Sequence, residues 1–210
     1  MKIHDISQPL GTDTAVWPGD HPVGIEWTLS RASGHSVNVA ALNTSVHAGT
    51  HADGFLHVVD GGETAAAMPL DAYIGPCTVV DVTGVSVVTV QAVAGLDLRS
   101  IERVLFRTRQ YVNPGAFPEP FAHIEPEVAV RLGEAGVRLL GTDAPSVDPV
   151  DSKDLPAHHA LVRGRVAILE NLLLTDVAPG EYTLVALPLR LVEADSSPVR
   201  AVLLPPGALS

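Results

Sequence analysis

A chain of 210 residues that is 46% hydrophobic and 18% charged is long enough to fill a core and has the make-up of a folded domain. Thirteen Lys and Arg against 24 Asp and Glu give a formal net charge of −11, which weighs against a nucleic-acid or anionic-membrane partner. No segment approaches the ~20 apolar residues of a membrane span, and the start Met1-Lys2-Ile3-His4-Asp5-Ile6 has no signal-like apolar stretch, so a cytoplasmic protein is expected.

Residues 1–30 carry Trp17-Pro18-Gly19-Asp20 and further prolines, and read as an irregular arm or lid. Ser36 to Val46 is strand-like. Thr78 to Thr83 is a short apolar strand, and the single cysteine, Cys77, just before it reads as a buried thiol that can form no intrachain disulfide. Arg103 to Arg107 and Val137 to Thr142 are further strands. Between them Pro126 opens a helix that stops near Gly136, with proline at its start and glycine at its end. Asp154 to Arg163 reads as a second helix, followed by strands at Val166 to Leu169, Tyr182 to Leu187 and Val199 to Leu203. The sum is one mixed α/β domain over residues 1–210, in which strands outnumber helices.

The chemistry concentrates in His47-Ala48-Gly49-Thr50-His51-Ala52-Asp53-Gly54-Phe55-Leu56-His57. Three imidazoles and a carboxylate form a usual ligand set for zinc or manganese, and a spare histidine suits acid/base work. Ligand atoms must converge to ~2 Å from an ion. A straight strand would hold the backbones of His47 and Asp53 ~20 Å apart, and a helix would turn Asp53 away from the face shared by His47 and His51. The segment is therefore expected to bend sharply, with Gly49 and Gly54 as the residues that tolerate positive φ.

A second group, His158-His159 and Glu170, lies far along the chain. Alone, it reads more readily as two histidines finishing a helix and a surface glutamate. Beside the first group the preference reverses, because a glutamate ending the apolar run Val166-Ala167-Ile168-Leu169 needs a partner. Five protein ligands suit two metals that share a bridging carboxylate. His158 and His159 compete for the role. Trp17 is equally a packing anchor for the arm or a flat surface for an aryl substrate.

These pieces resemble the bacterial kynurenine formamidases of the metal-dependent cyclase hydrolases. The matching segments are Asp5-Ile6-Ser7, Trp17-Pro18-Gly19-Asp20, His47 to Asp53, His158-His159-Ala160, Ile168-Leu169-Glu170, Leu184 to Leu189 and Ser197 to Ala201, in order and over nearly the whole chain. The resemblance implies a cyclase-like (swivelling β/β/α) mixed-sheet fold with an N-terminal arm. It implies two divalent ions, zinc or else manganese, with His47, His51 and Asp53 on the first. Asp53 and Glu170 would bridge to a second ion, which His158 also holds.

It further implies that His57 moves the proton, that Trp17 contacts the substrate, and that the chain forms a homodimer. The implied reaction is hydrolysis of N-formyl-L-kynurenine to kynurenine and formate in tryptophan degradation. No Gly-x-Ser-x-Gly motif points to a serine hydrolase instead. One departure stands out: Gly54-Phe55 occupies a stretch where the family often has proline, so a change in local backbone or pocket wall is expected. A sister hydrolase acting on isatin or another cyclic amide or ester would share every ligand, whereas a non-catalytic metal-binding domain would be indifferent to loss of His57.

Overall fold

The computed structural model describes residues 2–109 and 112–209; Met1, Gln110, Tyr111 and Ser210 lie outside the described residues. The first half contains β1 (His4–Asp5), β2 (Gly24–Leu29), β3 (Val39–Asn43), β4 (His51–Asp53), β5 (Ile74–Asp81), β6 (Val87–Val88), helix α1 (Val90–Val93) and β7 (Arg103–Arg107). The second contains β8 (His123–Ile124), α2 (Pro126–Ala135), β9 (Leu139–Thr142), α3 (Pro156–Arg163), β10 (Ala167–Glu170), β11 (Gly180–Val185), β12 (Ser196–Pro198) and β13 (Val202–Leu204).

Nine strands form one mixed sheet in the order β1-β13-β11-β5-β7-β9-β10-β4-β12. Its centre, β5-β7-β9-β10, is parallel. The buried centre explains why Arg103–Arg107, Leu139–Thr142 and Ala167–Glu170 read as near-continuous apolar runs rather than as alternating ones. Val104, Phe106, Leu140 and Ile168 face α2 and α3, while Leu105, Leu139 and Leu169 face a second core with Ile6, Tyr73, Leu184 and Leu203. Helix α2 ends as its sequence predicts, on Gly136 at φ +82°.

Two expected strands come out differently. Ser36 to Val46 shortens to β3, which pairs only with β2 as a hairpin apart from the large sheet. Val199 to Leu203 is not one strand but a corner. Pro198 ends β12 at one edge of the sheet, and Val202 opens β13 next to the other edge strand. The four steps between them reach at most ~14 Å, whereas the strand spacings from β12 to β13 in a flat sheet, ~4.8 Å each, would span ~34 Å. The sheet therefore curls to bring these strands together, and Ile6 N–H donates to Ala201 O at 3.0 Å, carrying the β1–β13 pairing one residue into the corner. Residues 1–30 divide accordingly: β1 is an edge strand of the large sheet, 8–23 form no strand and carry Trp17 to the cavity wall, and Gly24–Leu29 is one arm of the hairpin.

Candidate metal centre and substrate cavity

The antiparallel register of β4 and β10 sets Glu170 opposite His51. Side chains two apart on a strand share a face, and directly opposed residues are neighbours on it. His51, Asp53 and Glu170 therefore project together, each at most 4% exposed. His47 arrives from the preceding turn, where Gly49 takes φ +63°. Gly54 is extended instead, at φ −79°. Its need for glycine is space, because a Cβ there would lie 2.7 Å from Glu63 O and 3.0 Å from Asp195 O.

The fifth residue comes from α3. His158 sits in the first turn of that helix, not at its end, so the reading of a C-terminal cap does not hold. The N-cap position is Leu155, at φ +40° and without a capping side chain. Asp148 supplies the cap from outside, accepting from Ala157 N–H at 3.0 Å and His158 N–H at 2.9 Å. The same carboxylate accepts from Nδ1 of His158 at 2.7 Å. His158 is buried among the ligand candidates, while His159, one step further round the helix, is only half-buried.

Each ring is held by one nitrogen, so the other is free for a ligand. His51 Nδ1 donates to Gly49 O at 2.9 Å, and His47 Nε2 lies 2.9 Å from Asp195 Oδ2. The free nitrogens meet carboxylates without hydrogen-bond geometry. Asp53 Oδ1 is 3.3 Å from His47 Nδ1 and 3.5 Å from His51 Nε2, whereas its Oδ2 is 3.7 Å from His158 Nε2. Glu170 divides in the same sense, with Oε2 3.3 Å from His51 Nε2 and Oε1 3.4 Å from His158 Nε2. Ligand atoms ~2.1 Å from a tetrahedral ion lie ~3.4 Å from one another.

His51 Nε2, both Asp53 oxygens and His158 Nε2 are buried with no hydrogen-bond partner, a costly state that a cation relieves. The donor set thus fits divalent metal. Protons occupy the same balance in the metal-free chain. Burial opposes charge on His47, but Asp195 and Asp53 overcome it and lift the imidazole to about 10. Burial likewise opposes charge on His158, yet Asp148, Asp53 and Glu170 raise it well above the usual histidine range. Asp53 is held far below the carboxylate range despite its burial, by His158 and His47.

His57 stands beside this group. Its Nδ1 is 3.1 Å from Asp195 Oδ2, and its ring is 4.3 Å from that of His47 and 5.7 Å from that of His158. It also clusters with Asp53 and His158 closely enough to be a ligand itself. Its greater exposure, 30% of the side chain, and its open Nε2 suit proton transfer.

A cavity of about 310 Å³ opens over the cluster, and Trp17, His47, His51, His57, His158 and Glu170 all reach its wall. Trp17 packs edge-on against Phe117 at 5.3 Å and Phe121 at 6.3 Å, so it is anchored and still lines the space. Phe55 is absent from that wall: it is 3% exposed, belongs to the core and lies beneath Arg165. The Gly54-Phe55 departure is thus taken up by the core. Asp148 and Asp195 were not among the residues singled out from sequence. Both lie in loops, outside the two clusters read from the sequence.

The Cyclase family model matches residues 4–149. The chain belongs to the Cyclase family. It is 48% identical over 206 residues to a kynurenine formamidase of Salinibacter ruber, covering 97% of each chain. Among solved structures it resembles a predicted metal-dependent hydrolase from Bacillus stearothermophilus, with a TM-score of 0.82, 31% identity and coverage of 96% and 97%. An isatin hydrolase bound to the product analogue thioisatinate shares the fold at TM-score 0.83 and 20% identity, over 96% of this chain and 91% of that one. These likenesses bear out the cyclase-like mixed-sheet α/β fold and the formamidase resemblance read from the sequence.

Proposed function

We propose that this Cyclase-family chain hydrolyses N-formyl-L-kynurenine to L-kynurenine and formate, in tryptophan degradation. One observation carries the reading: buried Asp53 turns one oxygen to His47 and His51 and the other to His158, and these three histidines line a cavity walled by a tryptophan. His47, His51 and Asp53 would hold one divalent ion, and Asp53, His158 and Glu170 a second. The mixed imidazole and carboxylate set suits zinc and admits manganese. Bound there, the ions supply Lewis acidity to the formyl carbonyl and ease deprotonation of water.

The chain's own residues do the rest. Trp17 offers an indole to the aryl ring of the substrate. Asp195 holds His57 at Nδ1, leaving Nε2 to take a proton from the attacking water. The same nitrogen returns it to the anilide nitrogen, a poor leaving group until protonated. The test is a panel of N-formylkynurenine, isatin and simple esters, with metal content measured on the same sample. Formate release that chelation abolishes supports the reading. Preference for isatin makes the chain a sister hydrolase, and tight metal binding without turnover makes it a binding domain.

The same reading includes a homodimer. The β2–β3 hairpin leaves Trp27 64%, Leu42 57% and Ile25 41% exposed. Two strands alone are marginal in water, and a patch of this kind suits burial against a second copy. Trp27→Ser with Leu42→Ser should convert a dimer to monomer in size-exclusion chromatography with light scattering; a wild-type monomer sinks the pairing. No helix among the described residues is long and apolar enough to cross a membrane. The lone buried Cys77 suits a reducing compartment, in keeping with a cytoplasmic site.

A further inference from the structure

Arg109 follows the central strand β7 and reaches the wall of the same cavity as Trp17 and His57. It is the sole Lys or Arg among the described residues lining that space. Several other arginines are ion-paired, among them Arg107 with Asp81, Arg131 with Glu127, Arg165 with Glu63 and Arg200 with Asp5. Arg109 has no such partner among the described residues. The nearby Asp143 carboxylate is already taken up by Thr108 N–H, the Thr108 hydroxyl and the main-chain N–H of Arg109. The guanidinium donates through Nη2 to the Asp143 carbonyl instead, and its Nε–H is buried without a partner.

A half-buried cation with unused donors is costly to keep in a cavity wall. In a chain of net charge −11, whose cavity wall also carries the Asp20 carboxylate, Arg109 is the cationic side chain offered to an anionic substrate group. Guanidinium binds a carboxylate through paired N–H groups. The substrate proposed above has two chemically distinct ends, an aryl formamide and an amino-acid head with a free carboxylate.

We infer that Arg109 binds the carboxylate of the substrate's amino-acid head and so selects formamides of aryl amino acids over neutral aryl formamides. This rests on the formamidase reading, but it concerns a different end of the substrate from the metal cluster. Arg109 is a specificity residue in this account, with no part in moving the proton.

The test compares wild type and Arg109→Gln, both zinc-loaded, on N-formylkynurenine and on 2-formamidoacetophenone, which keeps the aryl ketone and formamide but lacks the amino-acid head. Loss of one charge-assisted contact should lower kcat/KM for the acid by roughly 10- to 100-fold, and for the neutral compound by less than about threefold. Arg109→Lys should recover part of the loss. A merely structural arginine would depress both substrates alike, and that outcome overturns the assignment.

Equilibrium binding of L-kynurenine, measured alongside, should weaken in Arg109→Gln by a similar factor. If the wild type cleaves neither formamide, the formamidase reading falls. Kynurenine binding still decides the role of Arg109, and equal binding by both proteins overturns it.

Discussion

Asp148 grips His158 at two points, taking the main-chain N–H at 2.9 Å and the ring Nδ1 at 2.7 Å with one oxygen. The carboxylate thereby starts helix α3 and fixes which nitrogen of His158 faces Asp53 and Glu170. Asp148→Asn should weaken metal binding by roughly 10- to 100-fold and cost ~1 kcal/mol of stability through the weaker cap. Metal-buffered titration and urea unfolding measure the two effects, and wild-type metal affinity would show that the ring needs no such support.

His57→Ala should keep its metal and lose turnover by about 10²- to 10⁴-fold. Asp195→Asn, assayed at saturating metal, should reduce kcat in the same direction but less, because His57 remains and only its orientation is relaxed. Turnover near the wild-type rate in His57→Ala would move the proton-transfer role elsewhere. Loss of metal in that variant would make His57 a ligand.

Metal uptake should release protons. His47 and His158 are raised above their unfolded values, so in the metal-free chain their stabilising contribution is present below ~6.5. It is lost as pH rises through the folded values, about 10 for His47. Asp53, Asp148, Asp195 and Glu170 are lowered, Asp53 by His158 and His47 against the cost of burial. Their contribution is present above ~4 and lost as pH falls through the folded values. A metal that displaces the imidazolium protons should bind more tightly from pH 6 to 8 and liberate on the order of two protons at pH 7. Calorimetry in buffers of differing ionisation enthalpy reads that number; none released would place the ions away from His47 and His158.

Trp17→Ala should raise KM for aryl formamides more than for small aliphatic formamides. Steady-state kinetics on both classes separates the effects. An equal rise for both would leave Trp17 as a packing residue against Phe117 and Phe121.

Gly54→Ala should destabilise by ~1–3 kcal/mol, since its methyl would meet Glu63 O at 2.7 Å and Asp195 O at 3.0 Å. Gly49→Ala should also destabilise, for the different reason of φ +63°. Thermal unfolding of the two variants checks both, and an unperturbed Gly54→Ala would mean that the loops carrying Glu63 and Asp195 yield easily.

Much of this arrangement was legible in the amino-acid sequence. The histidines and aspartate gathered between His47 and His57 name a metal set, and Glu170 closing an apolar run is a buried acid awaiting a partner; that His51–Asp53 is a strand came only with the sheet. Pro126 and Gly136 bracket α2 because each has a local backbone preference. Such features depend on neighbours within a few residues. The corner at Val199 to Ala201 was not legible, because its residues are as apolar as a strand and only the curling of the sheet turns them.

Three decisions belong to tertiary structure alone. The β4–β10 register set Glu170 opposite His51, the first turn of α3 brought the ring of His158 beside Asp53 and Glu170, and chain closure carried Asp195 to His47 and His57. The sequence determined which chemical groups the site could contain, since donor atoms and strand periodicity are local. Their convergence across more than 100 residues depends on strand pairing and burial, and these exist only once the sheet has closed.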